Sequence, residues 1–238
     1  FIDSVMNKRL SYMAFMTLYW TGMRLGELRA LTPADFDFET NMLSITKSYQ
    51  RITSPFKGQM SCVRELKLVQ KEKKYILKQL PVKEMECLRT NKHEMKNIKM
   101  GADEEWTLCD KKEVLELDIS YPIEKIHAQM FGIKISTGKN RQFEIIFCKE
   151  KQCCFVDRTA GVNPHDKFAG KYKAPVDFTQ EFLTIKLLMD VSQSELFINN
   201  GEVVMSNLLF PEDFYKVKLF VTGGDLVIEK SIIYEMDE

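Results

Sequence analysis

The chain has 238 residues, 34 basic and 34 acidic side chains, a formal net charge of +0 and 45% hydrophobic residues. That apolar share can fill an ordinary core and excludes wholesale disorder, while the charge balance gives no general pull toward nucleic acid or an anionic membrane. No apolar run approaches bilayer length, so no membrane partner is expected; Phe1-Ile2-Asp3 starts neither a basic nor an apolar leader region, so no signal peptide is expected.

Up to about residue 40 the pattern is helical. Met13, Phe15, Met16, Leu18, Tyr19 and Trp20 predict a buried amphipathic helix, interrupted at Thr21-Gly22. Leu25, Leu28 and Leu31 then recur at helical spacing until Thr32-Pro33 stops the second helix. A short strand is expected from about Met42 to Thr46.

Beyond about Thr53 the texture changes. Arg64 to Val69 and Tyr75 to Leu80 predict a strand pair around the charged turn Lys71-Glu72-Lys73. Pro81 opens a short helix with Val82, Met85 and Leu88 on one face. The polar stretch Arg89 to Lys99 reads as a linker.

After Gly101 nearly everything predicts strand. Leu115, Leu117 and Ile119 alternate with Glu116 and Asp118, the pattern of a sheet with one wet face. Phe131 to Ser136 and Phe143 to Phe147 flank the turn Thr137-Gly138-Lys139-Asn140. Leu196 to Asn199 and Glu202 to Met205 flank Asn200-Gly201, a strong hairpin signal because both residues tolerate positive φ. Thr222-Gly223-Gly224-Asp225 is expected to join a last pair, Val217 to Val221 and Leu226 to Tyr234. Short strands at this density, without intervening helices, predict a sandwich or barrel. The six cysteines form no C-x-x-C pair and no dense framework, so reduced thiols are expected, and no metal or cofactor motif is seen.

Phe155-Val156-Asp157-Arg158-Thr159, Phe168-Ala169-Gly170, Leu187 to Ser192, Glu195 to Glu202 and Leu208-Leu209-Phe210-Pro211 form an ordered series. The series resembles the C-terminal β-sandwich of family 32 glycoside hydrolases, the levanases, inulinases, invertases and sucrose-6-phosphate hydrolases. Upstream, Ser54 to Ser61 with Arg64-Glu65-Leu66 resembles the end of that family's catalytic propeller, although Val63 stands where the family usually has proline. Gln79 to Met85 resembles its inter-domain linker.

The resemblance implies a mainly β fold, an antiparallel β-sandwich with a small N-terminal α-helical fragment. The propeller of such enzymes carries an aspartate nucleophile, a stabilising aspartate and a glutamate acid/base. No catalytic residue is assigned in this chain. Glu86-Cys87 is followed by Leu88 rather than proline, and Asp157-Arg158 inverts the family's Arg-Asp order. The expected role is a noncatalytic module, structural or weakly binding fructan or another carbohydrate. Trp106, Tyr121, Tyr172 and Tyr215 are the candidate sugar-stacking aromatics. A sandwich without its propeller is also expected to expose an apolar patch and to self-associate.

Leu18 to Leu28, with Leu31-Thr32 and Asp35-Phe36-Asp37, resembles the start of the catalytic domain of phage-type integrases, the tyrosine recombinases. By position Arg24 matches the arginine that forks onto the scissile phosphate. His93, His127 and His165 have no arginine three residues on, and the lysine hairpin and nucleophile tyrosine are not found, so a DNA partner is not expected. The division is therefore 1–52 integrase-like, 53–100 propeller end and linker, and 101–238 sandwich. The abutment near Gln50 to Thr53 suggests a mobile-element insertion, a truncated reading frame or a joining error. A start at Phe1 is that of a fragment or processed chain, and parent enzymes of this type are both secreted and cytoplasmic, so localisation stays open.

Overall fold

Runs of alternating apolar and polar residues become strands throughout the C-terminal three quarters of the chain. The computed structural model describes residues 36–37, 39, 42–43, 61–71, 74–112, 114–137, 141–161, 169–209 and 215–236. The chain divides into two compact units, Phe1–Gly58 and Gln59–Glu238. In the first, strands β1 (Phe36–Asp37) and β2 (Met42–Leu43) pair antiparallel. The helices expected before residue 36, and Arg24 with them, lie outside the described residues.

The second unit opens with a hairpin of β3 (Arg64–Lys71) and β4 (Lys74–Pro81), then a 3-10 helix over Lys83–Leu88. There follow β5 (Arg89–Met100), β6 (Glu105–Lys112), β7 (Leu115–Pro122), β8 (Met130–Thr137), β9 (Arg141–Cys148) and β10 (Cys153–Asp157). The last six are β11 (Lys171–Pro175), β12 (Phe182–Asp190), β13 (Gln193–Ile198), β14 (Val203–Leu208), β15 (Tyr215–Thr222) and β16 (Leu226–Met236). They form two antiparallel sheets: sheet I in the order β11-β10-β9-β8-β15-β6 and sheet II in the order β14-β13-β12-β7-β16-β5. Their inner faces share one core, with Phe131, Ile133, Ile145, Phe147 and Leu219 from sheet I against Leu117, Leu183, Leu187, Leu196 and Ile228 from sheet II. This is the expected sandwich.

Two local readings are corrected. Arg89–Met100 is not a linker but a twelve-residue strand on the edge of sheet II, paired along β16. Its alternation is broken in the middle. Asn97 takes φ 53 between the pairs Ile228–Ile98 and Lys230–Lys96. Ile98 and Met100 join the core on one side of that point and Met95 packs against it on the other, so the inward parity shifts. A polar edge strand also guards against pairing with other chains, and composition reads such a strand as loop.

The second correction concerns Thr222 to Asp225. The Asn200-Gly201 turn makes the expected hairpin, with Asn199, Asn200 and Gly201 all at positive φ. The Gly223-Gly224 turn instead carries the chain from β15 in sheet I to β16 in sheet II. Gly224 has φ 145, and a Cβ there would come within 2.4 Å of the His127 carbonyl oxygen. The glycine permits an arch pressed against a neighbouring loop rather than a two-strand turn.

Candidate functional site

Part of the outer face of sheet II is covered. On β13, Leu196 and Ile198 belong to the core, so Glu195 and Phe197 point outward, yet they are 2% and 1% exposed. The β3–β4 hairpin lies over them. Glu195 accepts hydrogen bonds from the Cys62 amide (2.7 Å), the Cys62 thiol (3.1 Å) and both Nε (3.2 Å) and Nη2 (2.6 Å) of Arg64. The Arg64 guanidinium also sits 5.4 Å from the Phe197 ring centre and donates to Gln79 and Ser206. Burial, reinforced by Glu195, pushes the Cys62 thiol up to about 12, so it stays protonated.

The hairpin is pinned at two further places. The Gln79 amide donates to the Gly201 carbonyl at 3.0 Å. Gly201 has φ +80, and any Cβ there would lie 2.1 Å from the Gln79 oxygen, so only glycine fits this contact. Near the hairpin tip Lys71 bridges Asp177 (2.7 Å) and Glu202 (3.3 Å), while Lys78 reaches Glu202 at 3.3 Å. Lys71 and Thr179 hold the Asp177 carboxyl well below the usual carboxylate range.

Beside this clamp a second charged group is buried on the same face. Arg89 grips Glu116 through Nε (2.8 Å) and Nη2 (2.6 Å) and stacks 4.3 Å over the Tyr234 ring. Lys186 bonds both Glu116 and Asp118. Burial raises Glu116, but Arg89 and Lys186 outweigh it and leave the carboxyl lowered. For Asp118 burial prevails over Lys186, and the carboxyl is raised. The strand expected to have one wet face therefore carries a glutamate that is 3% exposed. The sequence reading missed this group. Its signal was faint: Glu116 reads together with Asp118 as an ordinary wet face, and Glu195 is one charge before the apolar run Leu196-Phe197-Ile198.

The hairpin face opposite Lys71 and Lys78 is apolar and open beyond Arg64 and Gln79. Leu68 pairs with Leu77, with Leu66 and Tyr75 two positions away on the same face. These four side chains are between 47% and 68% exposed. Four neighbouring large apolar side chains on a two-stranded ribbon form the kind of patch that marks an interaction surface.

The four candidate aromatics separate into two kinds. Tyr121 and Tyr215, each 1% exposed, are core residues and cannot offer a face to a sugar. Tyr121 packs on Phe131, and the Tyr215 hydroxyl donates to the Val191 carbonyl at 2.8 Å, tying the two sheets at one end. Trp106 on the β6 edge and Tyr172 on the β11 edge are exposed. Asp157, beside Arg158, accepts from the amide and hydroxyl of Thr159 at 3.0 and 2.6 Å, a turn-forming role. Glu86 and Cys87 lie on the 3-10 helix, and Glu86 pairs with Arg89. No disulfide joins any of the six cysteines, and Cys148, Cys153 and Cys154 are buried. Among the described residues no group of three or more His, Cys, Asp or Glu side chains could hold a metal, and no helix is long and apolar enough to cross a membrane.

A two-sheet antiparallel sandwich with a clamped N-terminal hairpin defines an all-β module whose buried carboxylates are tied up in ion pairs. A family model described as "Glycosyl hydrolases family 32 C terminal" matches residues 84–235, and the chain belongs to that family. A levanase of Bacillus subtilis (strain 168) is 26% identical over 191 residues, covering 77% of this chain and 28% of the relative. The chain thus spans little more than a quarter of that protein. An exo-inulinase from Aspergillus awamori superposes with a TM-score of 0.65 at 24% identity, covering 78% of this chain and 37% of that one. A fructofuranosidase from Schwanniomyces occidentalis, complexed with fructose, gives 0.64 at 19% identity, covering 78% and 42%. These two structures share the fold. The family match begins at residue 84, so it does not reach Arg24 or the integrase-like segment.

Proposed function

We propose that this chain acts as the noncatalytic sandwich module of a fructan- or sucrose-cleaving hydrolase, seating a catalytic propeller rather than cleaving sugar. The observation that carries this is the β3–β4 hairpin, anchored at its base by the buried Arg64–Glu195 pair, held on one face by Lys71 and Lys78 against Asp177 and Glu202, and presenting Leu66, Leu68, Tyr75 and Leu77 on the other. A two-stranded ribbon with an open apolar face is marginal alone and gains stability from a further layer. The named relatives, a levanase and a levanbiose-producing levanase among them, are far longer than their matched portion, which leaves room for such a layer in them.

Co-expression of the full chain with the propeller region of the Bacillus subtilis levanase tests this. Co-purification that is lost in Leu68→Asp/Leu77→Asp is the expected result. Release of fructose from levan, inulin or sucrose by the chain alone would overturn the noncatalytic reading. The same apolar face carries the self-association expected of a module without its propeller. Analytical ultracentrifugation should show a concentration-dependent shift that the double aspartate variant removes.

A further inference from the structure

Strands β9 and β10 are joined by the turn Lys149-Glu150-Lys151-Gln152, and the pair that closes it is Cys148 opposite Cys153. Directly opposed residues of an antiparallel pair have Cα atoms about 4.5–5.5 Å apart and side chains on one face. A disulfide needs a Cα separation of about 4.4–6.8 Å, so the register alone sets these two cysteines at bridging distance. Their neighbours Phe147 and Cys154 belong to the core, so Cys148 and Cys153 stand together on the outer side of sheet I.

Three observations make the pair more than a coincidence of register. First, the turn is pinned at both ends. Lys149 Nζ donates to the Ile123 and Ile126 carbonyls at 2.8 and 3.1 Å. The Gln152 carbonyl accepts from the Val176 amide at 3.0 Å, and the Gln152 side-chain oxygen accepts from the Phe178 amide at 3.3 Å. The Gln152 amide closes the turn on the Lys149 carbonyl at 3.1 Å. These contacts hold the register, so the two cysteines are opposed before any sulfur bond forms. Second, the thiols sense each other: burial pushes the Cys153 thiol up, Lys173 draws it down, and Cys148 raises it again. Third, both residues are buried although they stand on the outer side of their sheet, so a bond between them is shielded from exchange with outside thiols. Of the other cysteines, Cys154 points into the core, and the Cys62 thiol is donated to Glu195. Cys109 on β6 stands three strands from β9, about 14 Å at the usual strand spacing.

We infer that Cys148 and Cys153 form a redox modification site, a cross-strand disulfide that closes as the β9–β10 hairpin folds in the presence of a small-molecule disulfide. With oxidised glutathione as that reagent, the first thiolate attacks one glutathione sulfur, making a mixed disulfide and releasing one glutathione thiolate. The second thiolate attacks the protein sulfur of the mixed disulfide and releases the other glutathione. Two protein thiols are oxidised, one glutathione disulfide is reduced to two thiols, and the two protein protons pass to the released glutathione thiolates. Closure during folding precedes burial, so it needs no access to the folded thiols. The bond staples the turn end of sheet I, on the opposite sheet from the β3–β4 clamp, so it stands whether or not a propeller docks.

The test is refolding of the full chain from urea in a buffer of reduced and oxidised glutathione, alkylation with N-ethylmaleimide, and tryptic mapping without reductant. Cleavage after Arg141, Lys149, Lys151 and Arg158 separates the peptide Gln142–Lys149 from Gln152–Arg158. The expected result is these two peptides joined, with Cys154 alkylated, and parted again by dithiothreitol. Cys153→Ala should abolish the bond, whereas Cys154→Ala should keep it. If either variant fails to fold, the alkyl group on Cys154 in the parent map already identifies the bonded sulfur. The folded, reduced chain placed in the same buffer should acquire the bond about tenfold more slowly, since its thiols are reached only through local opening. Separate peptides with all three cysteines alkylated after refolding, a bond through Cys154 in place of Cys153, or equal rates in the folded and refolding chains would each overturn the inference.

Discussion

The two sheets obey the same alternation and end with different outer faces. On sheet I, Lys134 and Lys218 share Glu105 at 2.7 and 3.0 Å, and all three side chains remain between 24% and 40% exposed. On sheet II, Glu116 and Glu195 hold comparable partners with only 4% and 2% of their side chains exposed. A period of two dictates which side chains point outward on both sheets. What differs is the cover: sheet II has a hairpin and Arg89 over it, and its charges lose their water. Ion pairs of the same length therefore contribute by different rules on the two faces.

The sharpest break of that contrast is Arg64→Ala. It leaves Glu195 buried without its cation and should lower the unfolding free energy of the sandwich by about 3–5 kcal/mol. Replacing both partners by apolar residues, Arg64→Met with Glu195→Leu, should recover most of the loss, since neither charge is then stranded. Urea denaturation followed by far-UV circular dichroism measures both. A loss under about 1 kcal/mol for the single variant would mean that water reaches the carboxylate.

Next in size is Gly201→Ala, where the left-handed backbone and the Gln79 contact both oppose a Cβ. A loss of about 1–3 kcal/mol is expected in thermal melts. Gly101→Ala is the matched control, because the nearest atom to a Cβ there is the Glu104 carboxylate at 3.6 Å.

A smaller effect separates the hairpin clamp from the wet face by pH. The Asp177 carboxyl is lowered chiefly by Lys71, so its contribution is complete above the ordinary carboxylate range and is lost as pH falls through the range toward its depressed value. With Lys71 41% and Asp177 30% exposed, the clamp should contribute about 0.5–1 kcal/mol. Asp177→Asn should remove that much at pH 7 and flatten part of the acid limb of the urea midpoint between about pH 5 and 2. Smallest of all is Glu105→Gln on sheet I. It should cost under about 0.5 kcal/mol at low salt and nothing measurable in about 1 M salt, where exposed pairs are screened. A loss as large as that of Arg64→Ala would erase the distinction between the faces.

The strands with clean alternation were legible without a structure. Leu115 to Ile119, Phe131 to Ser136, Phe143 to Phe147 and the Asn200-Gly201 hairpin all stand where the pattern put them. Arg89–Met100 was not legible, because a polar edge strand with a parity shift at Asn97 carries no regular alternation. Nor could the Gly223-Gly224 turn be told from a hairpin turn, since both tolerate positive φ and only the neighbouring His127 carbonyl distinguishes them. Among the candidate aromatics, residue type named four; burial removed Tyr121 and Tyr215.

By itself, then, the sequence determined the class of fold, because period-two hydrophobicity and turn residues are local properties of the chain. It also held both halves of the hairpin clamp in the segments that carry the family resemblance, Arg64-Glu65-Leu66 and Glu195-Leu196-Phe197. Only the tertiary structure decided that these halves meet and that Glu116 and Glu195 are dry. Those are contacts between residues far apart in the chain, and water is excluded from a charge by what lies over it rather than by its neighbours in sequence.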